Sequence, residues 1–203
     1  MAKKRIAVLF GGASADHAAS LHTAYSVLSA MPKEVEPLAI GITRAGRWLF
    51  YPGSYENIKD GSWEQDSDCC SCVISPDMTN KGVIKIISDG ESTIHRIDAV
   101  FPVLHGKYGE DGRVQGLCKL AGLPIIGNDF AAAALCTDRR IMDLVLSDSG
   151  IKVINNVTLH RSEMNDMPAA IRKITDKLKF PIYTAPTSCS TSVGACRAEN
   201  EKE

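Results

Sequence analysis

A chain of 203 residues with 44% hydrophobic residues and 6% aromatics can bury a core of its own, and should form one domain plus part of another. Lys and Arg number 23 against 24 for Asp and Glu, so the net charge of -1 leaves no electrostatic footprint for nucleic acid or anionic lipid and favours a small-molecule ligand. The apolar run Ile6 to Phe10 breaks at Gly11-Gly12, too short for a signal-peptide core, and no stretch approaches membrane-span length, which predicts a cytosolic protein.

Arg5 to Phe10 reads as a buried parallel strand entering a tight turn at two glycines. Ser14 is placed to cap a helix from Ala15 to about Ala30, with Ala18, Leu21, Tyr25 and Leu28 as its core-facing stripe and Pro32 as its stop. Val35 to Ile42 supplies the next strand, which makes strand, helix, strand, the unit of a doubly wound sheet. From Thr43 to Ile97, short apolar runs (Trp48 to Tyr51, Cys72 to Ile74, Val83 to Ile87) alternate with Gly, Pro, Asp and Ser, predicting hairpins or an excursion at the sheet edge. Ala99 to Leu104 returns as a buried strand, and a helix from about Arg113 to Ala121 is closed by Gly122. Leu123 to Ile126 is a further short strand, Phe130 to Cys136 an Ala-rich helical turn, and Asp138 to about Ser149 a helix ended by Gly150. Ile151 to Leu159, a helix through Ile171 and Ile174, and a strand Phe180 to Tyr183 begin a second layer.

Seven cysteines, an odd number scattered between Cys69 and Cys196, do not form a disulfide framework and fit reduced thiols. Cys69-Cys70-Ser71-Cys72 is the one cluster that raises a metal. Neighbours on a strand point to opposite faces and no second Cys/His pair stands at zinc-finger spacing, so thiols packed beside a sheet are the preferred reading and no metal site is predicted.

Two Gly-rich loops carry the chemistry. Phe10-Gly-Gly-Ala-Ser-Ala-Asp16-His17 lies where a parallel strand hands over to a helix; its glycines let backbone approach a ligand, and the helix N-terminus offers free N–H groups. His105-Gly-Lys-Tyr-Gly-Glu-Asp-Gly112 sits at the end of another buried strand, where open sheets bind ligands. Both loops should face one edge, bringing Asp16 and His17 near His105 and Glu110. That pairs an anion for a substrate ammonium with an imidazole for a carboxylate, the two ends of an amino acid. Structural readings stand beside these: a plain strand-to-helix turn with Asp16 favoured by the helix dipole, Asp111 as a helix cap, and His105 as a satisfied loop histidine.

These residues resemble one family. Ile6-Ala-Val-Leu-Phe-Gly-Gly with Ser14, Asp16-His17 and Ser20, then Gly41-Ile-Thr with Gly46 and Trp48, then Val100-Phe-Pro-Val-Leu-His-Gly-Lys-Tyr-Gly-Glu-Asp-Gly112 with Gln115-Gly116, then Leu120-Ala-Gly-Leu-Pro and Ala134-Leu135, together look like D-alanine-D-alanine ligases. Gly41 to Trp63 and Lys107 look most like the vancomycin-resistance branch, which includes D-Ala-D-Ser ligases. The resemblance is strong through about Leu135 and weaker beyond. It implies an α/β chain: a Rossmann-like, pre-ATP-grasp, doubly wound parallel sheet over residues 1–136, then an incomplete ATP-grasp subdomain over 137–203. It also implies a cell-wall precursor reaction in which ATP phosphorylates the carboxylate of a first D-alanine and the amino group of a second amino acid attacks the acyl phosphate. By position, the resemblance gives catalytic roles to Asp16, His105, Glu110 and Thr191, with Asp16 meeting the substrate ammonium. Gly11, Gly12, Ser14 and His17 become substrate-binding, and Arg139 and Ser192 become nucleotide- or phosphate-binding. ATP and magnesium are implied cofactors, and a homodimer through the first domain an implied assembly.

Departures gather where phosphate chemistry belongs. The family usually has Glu at Asp16, one methylene longer. Its Asp-Lys pair reads Asp138-Arg139 here, which keeps the charge without the point-charge geometry of an ammonium. Ala185 stands in place of a lysine, and Ser190 in place of a phosphate-loop glycine. The family's magnesium ligands would lie beyond Glu203. Phosphoryl transfer depends on positioning and on positive charge around the moving group, so this chain alone is expected to lack ligase turnover. A non-catalytic small-molecule binding or interaction module derived from the first domain is the alternative. A dinucleotide-dependent oxidoreductase shares the fold but not the G-x-G-x-x-G loop.

Overall fold

A computed structural model describes residues 3–86, 91–188 and 194–203. Strand β1 (Lys4–Gly11) is buried from Ile6 onward and leads into helix α1 (His17–Ser29). Strand β2 (Val35–Ile42) then pairs with β1 in parallel, from Lys4 opposite Val35 to Gly11 opposite Ile42. The turn Thr43 to Arg47, with Gly46 at φ +83°, reverses the chain into β3 (Trp48–Tyr51), antiparallel to β2. After α2 (Tyr55–Asp60) come β4 (Cys70–Ile74), β5 (Gly82–Ile86) and β6 (Ser92–Arg96), each antiparallel to its predecessor. Strand β7 (Ala99–Pro102) closes the other side of β1 in parallel, giving the order β6-β5-β4-β3-β2-β1-β7. The Rossmann-like α/β core is thus present in β1, β2 and β7, and the excursion foreseen between Thr43 and Ile97 is an antiparallel extension. The doubly wound parallel sheet expected from the sequence is seen in β2, β1 and β7, and β3 to β6 extend it on the β2 side as antiparallel strands, in keeping with the hairpins expected from Thr43 to Ile97.

Alternation along β1 explains why both faces are covered. Ile6, Val8 and Phe10 pack with Leu21, Ala24 and Leu28 of α1, while Ala7 and Leu9 pack with Val114, Cys118 and Ala121 of helix α3 (Arg113–Leu120) and its cap. The buried stripe of α1 is His17, Ser20, Leu21, Ala24 and Leu28, a correction of the predicted one. Ala18 is exposed, and Tyr25 turns outward to donate its hydroxyl to Glu56 at 2.6 Å. Small Ser20 and Ala24 let the helix approach the sheet closely.

Helix α2 was not foreseen, although Ser54 accepts from Glu56 N at its start and Gly61 ends it at φ +84°. Trp63, fully buried, follows. Its ring lies edge-on to Phe10 at 4.9 Å and so close to Gly41 that a Cβ there would come within 2.2 Å, so Gly41 is required for space. Leu123 to Ile126 makes only a single parallel bridge, Val100 to Ile125, since Pro124 has no N–H for a longer ladder.

The chain divides into two compact units, Met1–Ala134 and Leu135–Glu203. The division falls within α4 (Phe130–Thr137). The second unit holds α5 (Arg139–Asp148), capped by Asp138, α6 (Met167–Thr175), capped by Asp166, and an antiparallel pair β8 (Ile182–Thr184) and β9 (Cys196–Ala198). Ile87, the predicted end of the fifth strand, lies outside the described residues, among which no helix is long and apolar enough to cross a membrane.

One buried hydroxyl ties the first unit together. Ser20, with no exposed surface, accepts from Gly11 N at 2.8 Å and donates to the Val103 carbonyl, joining α1 to the ends of β1 and β7. Ser20→Ala removes the partner of a buried donor and a buried acceptor at once, and should lower stability by about 1–3 kcal/mol in urea denaturation. A loss below about 0.5 kcal/mol would mean that the junction does not depend on this hydroxyl.

Candidate functional site

The first loop forms because two successive residues take positive φ. Gly11 is at φ +84°, where an added Cβ would lie 2.3 Å from the Ile42 carbonyl oxygen, and Gly12 is at φ +98° with its N–H donating to that same oxygen at 2.7 Å. Ser14, expected from the sequence to cap α1, does not do so. Its hydroxyl donates to the His105 carbonyl at 2.9 Å and accepts from Asp16 N at 3.2 Å, so it spans the two loops. The cap position is Asp16, whose carboxylate makes no capping bond. It is half-buried, lies at the positive end of the helix dipole, and pairs with no group among the described residues.

His17 turns inward. It is buried, and since a carbonyl can only accept, its Nδ1 carries a proton donated to Gly12 O at 2.7 Å. Its Nε2 lies 3.8 Å from Glu64 Oε1. The ring therefore braces the glycine loop from behind.

The second loop is held mostly by its own residues. Glu110 accepts from Gly106 N at 2.8 Å, closing the turn that starts after His105. Asp111 accepts from Tyr108 N at 2.8 Å and pairs with Arg113, while Gly112 occupies the cap of α3. Tyr108 takes φ +73°, uncommon for a side chain of this size, with its ring between Lys107 Nζ at 5.0 Å and the Arg113 guanidinium at 4.9 Å. Gly109 passes so close to Leu104 that a Cβ would meet that side chain at 2.4 Å. Buried Gln115 donates to Gly109 O at 3.0 Å, and its Oε1 has no partner among the described residues.

His105 is the exception, because its ring reaches α1 and lies 3.1 Å from Thr23 Oγ1. Asp16, Ala19 and Thr23 recur at helical spacing along one stripe of α1, so Asp16 and the His105 ring share that face although 89 positions separate them. Thr23 escaped the sequence reading. Its spacing of seven from Asp16 was the available signal. On that stripe Ala19 is exposed while Asp16 and Thr23 are half-buried, and Asp16 lines neither of the two neighbouring cavities. One, of about 400 Å³, lies beside Gly11, Gly12, His105, Lys107, Tyr108 and Trp48. The other, of about 700 Å³, is bordered by His17, Arg44, Arg47, Lys59 and Glu64.

In the second unit, Arg139 stands at the first position of α5, its N–H donating to Thr187 O at 3.0 Å, and the cap carboxylate of Asp138 accepts from Arg140 N and Ile141 N. Thr191 and Ser192 lie outside the described residues. Ala185, the position the resemblance would give to a lysine, carries a methyl, and no three acidic, histidine or cysteine side chains gather among the described residues. Those residues do not fit a nucleotide triphosphate with its magnesium.

The family described as D-ala D-ala ligase N-terminus matches residues 5–128. A D-alanine–D-alanine ligase of Caldicellulosiruptor bescii is 38% identical over 100% of this chain and 55% of its own length, so the chain spans about half of that relative. Among solved structures, the VanG D-Ala:D-Ser ligase of Enterococcus faecalis superposes with a TM-score of 0.89 at 36% identity, over 98% of this chain and 57% of that one. The D-alanine-D-alanine ligase of Coxiella burnetii, at 24% identity and a TM-score of 0.85 over 100% of this chain and 56% of that one, shares the fold.

The cysteine cluster stands apart from both loops. Burial pushes the Cys69 thiol up to about 11 and the Cys72 thiol up to about 12, and burial alone raises Cys118 to about 11. A thiol with so high a pKa stays protonated at neutral pH and is a poor nucleophile. Iodoacetamide at pH 8 should therefore modify exposed Cys136 and Cys196 well before Cys69, Cys72 and Cys118, read by mass spectrometry. Equal rates at all five would contradict the burial seen here.

Proposed function

Because this chain belongs to the D-alanine-D-alanine ligase family, we propose that it carries the part of such a ligase that receives the first substrate, D-alanine or a similar small amino acid. Asp16 holds the ammonium and His105 the carboxylate, with Gly11, Gly12 and Ser14 shaping the loop between them and Glu110 keeping the His105 turn closed. The observation that carries this reading is the unpartnered, half-buried Asp16 carboxylate on the same helix face as the His105 ring. An anion left without a partner while seven residues along the stripe an imidazole is anchored supports two opposite contacts to one zwitterion.

In the full reaction the carboxylate becomes an acyl phosphate at the expense of ATP with magnesium, and D-Ala, D-Ser or a related second substrate attacks it to build a cell-wall precursor. Positioning and charge at the phosphoryl group make that step possible, and Ala185 contributes neither. No phosphoryl step is assigned to the described residues. The same reading divides the chain at 1–136 and 137–203, places it in the reducing cytosol, consistent with its free thiols, and pairs it as a homodimer through the first domain.

Calorimetry should detect saturable D-alanine binding that Asp16→Asn weakens about tenfold or more, since a hydrogen bond to a charged group contributes roughly 1.5–3 kcal/mol. Identical affinity in the variant would remove Asp16 from the site. Incubated with ATP, magnesium and D-alanine, the 203-residue chain should release no phosphate above background, and measurable release would overturn its assignment as a half-site.

A further inference from the structure

The His105 ring contacts α1 through one nitrogen only. Thr23 Oγ1 lies 3.1 Å from Nε2 and 2.9 Å from the Ala19 carbonyl, the position one helical turn earlier. A carbonyl oxygen accepts and never donates, and a threonine has a single hydroxyl proton. Back-bonding to the carbonyl four residues earlier is a habitual arrangement for threonine within helices. With its proton on Ala19, Thr23 presents a lone pair to the ring, and Nε2 must carry the proton between them. The residue is held at a second point, where Ser14 Oγ donates to the His105 carbonyl at 2.9 Å.

We infer that Thr23 is a positioning residue for His105, holding the ring by Nε2–H against α1 so that Nδ1 is the nitrogen presented to a ligand. In the neutral ring Nδ1 can only accept, so the carboxylate contact proposed above is made by the imidazolium, which keeps Nε2–H on Thr23 and gives Nδ1–H to the carboxylate. Free to rotate, the ring could offer either nitrogen. Anchored, it offers one, on the face that also bears Asp16. Thr23 is not among the residues quoted for the family resemblance, and its role follows from the geometry of α1. The consequence for ligand binding rests on the amino-acid reading above; the state of the ring does not.

The experiment separates the two. In the ¹⁵N-labelled full chain, ring correlation spectra, with the His105 signals identified through His105→Gln, should show a proton on Nε2 whose exchange with water is slowed. Thr23→Val, nearly isosteric and without a hydroxyl, should lose that protection while the other histidine signals stay in place, and Thr23→Ser should keep it. D-alanine affinity should fall about fivefold in Thr23→Val, the effect of one ordinary hydrogen bond. It should recover in Thr23→Ser, and should show no further loss when Thr23→Val is added to His105→Gln. A proton on Nδ1 in place of Nε2, or unchanged exchange in Thr23→Val, would overturn the inference. If the unaltered chain gives no heat with D-alanine, the amino-acid reading fails, and the ring spectra still decide what Thr23 does.

Discussion

The junction of the first unit depends on the buried Ser20 hydroxyl. Three elements from distant parts of the chain meet there: the end of β1 at Gly11, the first turns of α1, and the segment after β7 at Val103. Each brings a backbone or side-chain polar group into a region with no exposed surface, where an unpaired donor or acceptor would be costly. One hydroxyl satisfies both backbone groups because it can donate and accept at once. The result fixes where the two glycine loops emerge, and with that the relation between Asp16 and His105.

From that junction outward, α1 acts as a rail. Its N-terminus carries Asp16, its inner face buries Ser20 and Leu21 against the sheet, and its side stripe receives the His105 ring at Thr23. Most of the remaining charged and polar side chains of the loops hold the loops themselves. Glu110 closes a turn, Asp111 orders Tyr108 and Arg113, Gln115 supports Gly109, and His17 braces Gly12. Loops dense in charged residues suggest many ligand contacts; among the described residues, the loop carboxylate left without a partner is Asp16, and the ring anchored through a single nitrogen is His105. The second unit contrasts with this. Its helices are well capped, by Asp138 and Asp166, yet the position the resemblance would give to a phosphate-binding lysine is Ala185.

Much of this was legible in sequence. The spans of β2 and β3 were read without error, β1, α1, α3 and α5 within one or two residues, and the edge excursion from Thr43 as a change of texture, because hydrophobic period and Gly or Pro punctuation are local signals. Helix α2 was missed although Ser54 and Gly61 mark its ends, since six residues are too few to show a period. The stripe of α1 was misread because Ser20 and Ala24 are small, and hydrophobicity alone ranks Tyr25 above them. Ser14 was taken for a cap because a cap needs only a nearby hydroxyl, whereas the partner it chose, His105 O, lies 91 positions away.

By itself, then, the order of residues determined which segments are strands and helices, that two glycine loops leave the sheet at one edge, that Asp16 and His105 belong to them, and which family they resemble. Those properties follow from backbone preference, periodicity and motif, all carried within a few neighbouring residues. Only the tertiary structure decided that His17 and Glu110 serve the loops, that Thr23 meets the His105 ring, and that Trp63 needs the empty side of Gly41. Each of those pairings depends on how closely distant elements approach, and that distance is set by packing of the whole sheet against its helices.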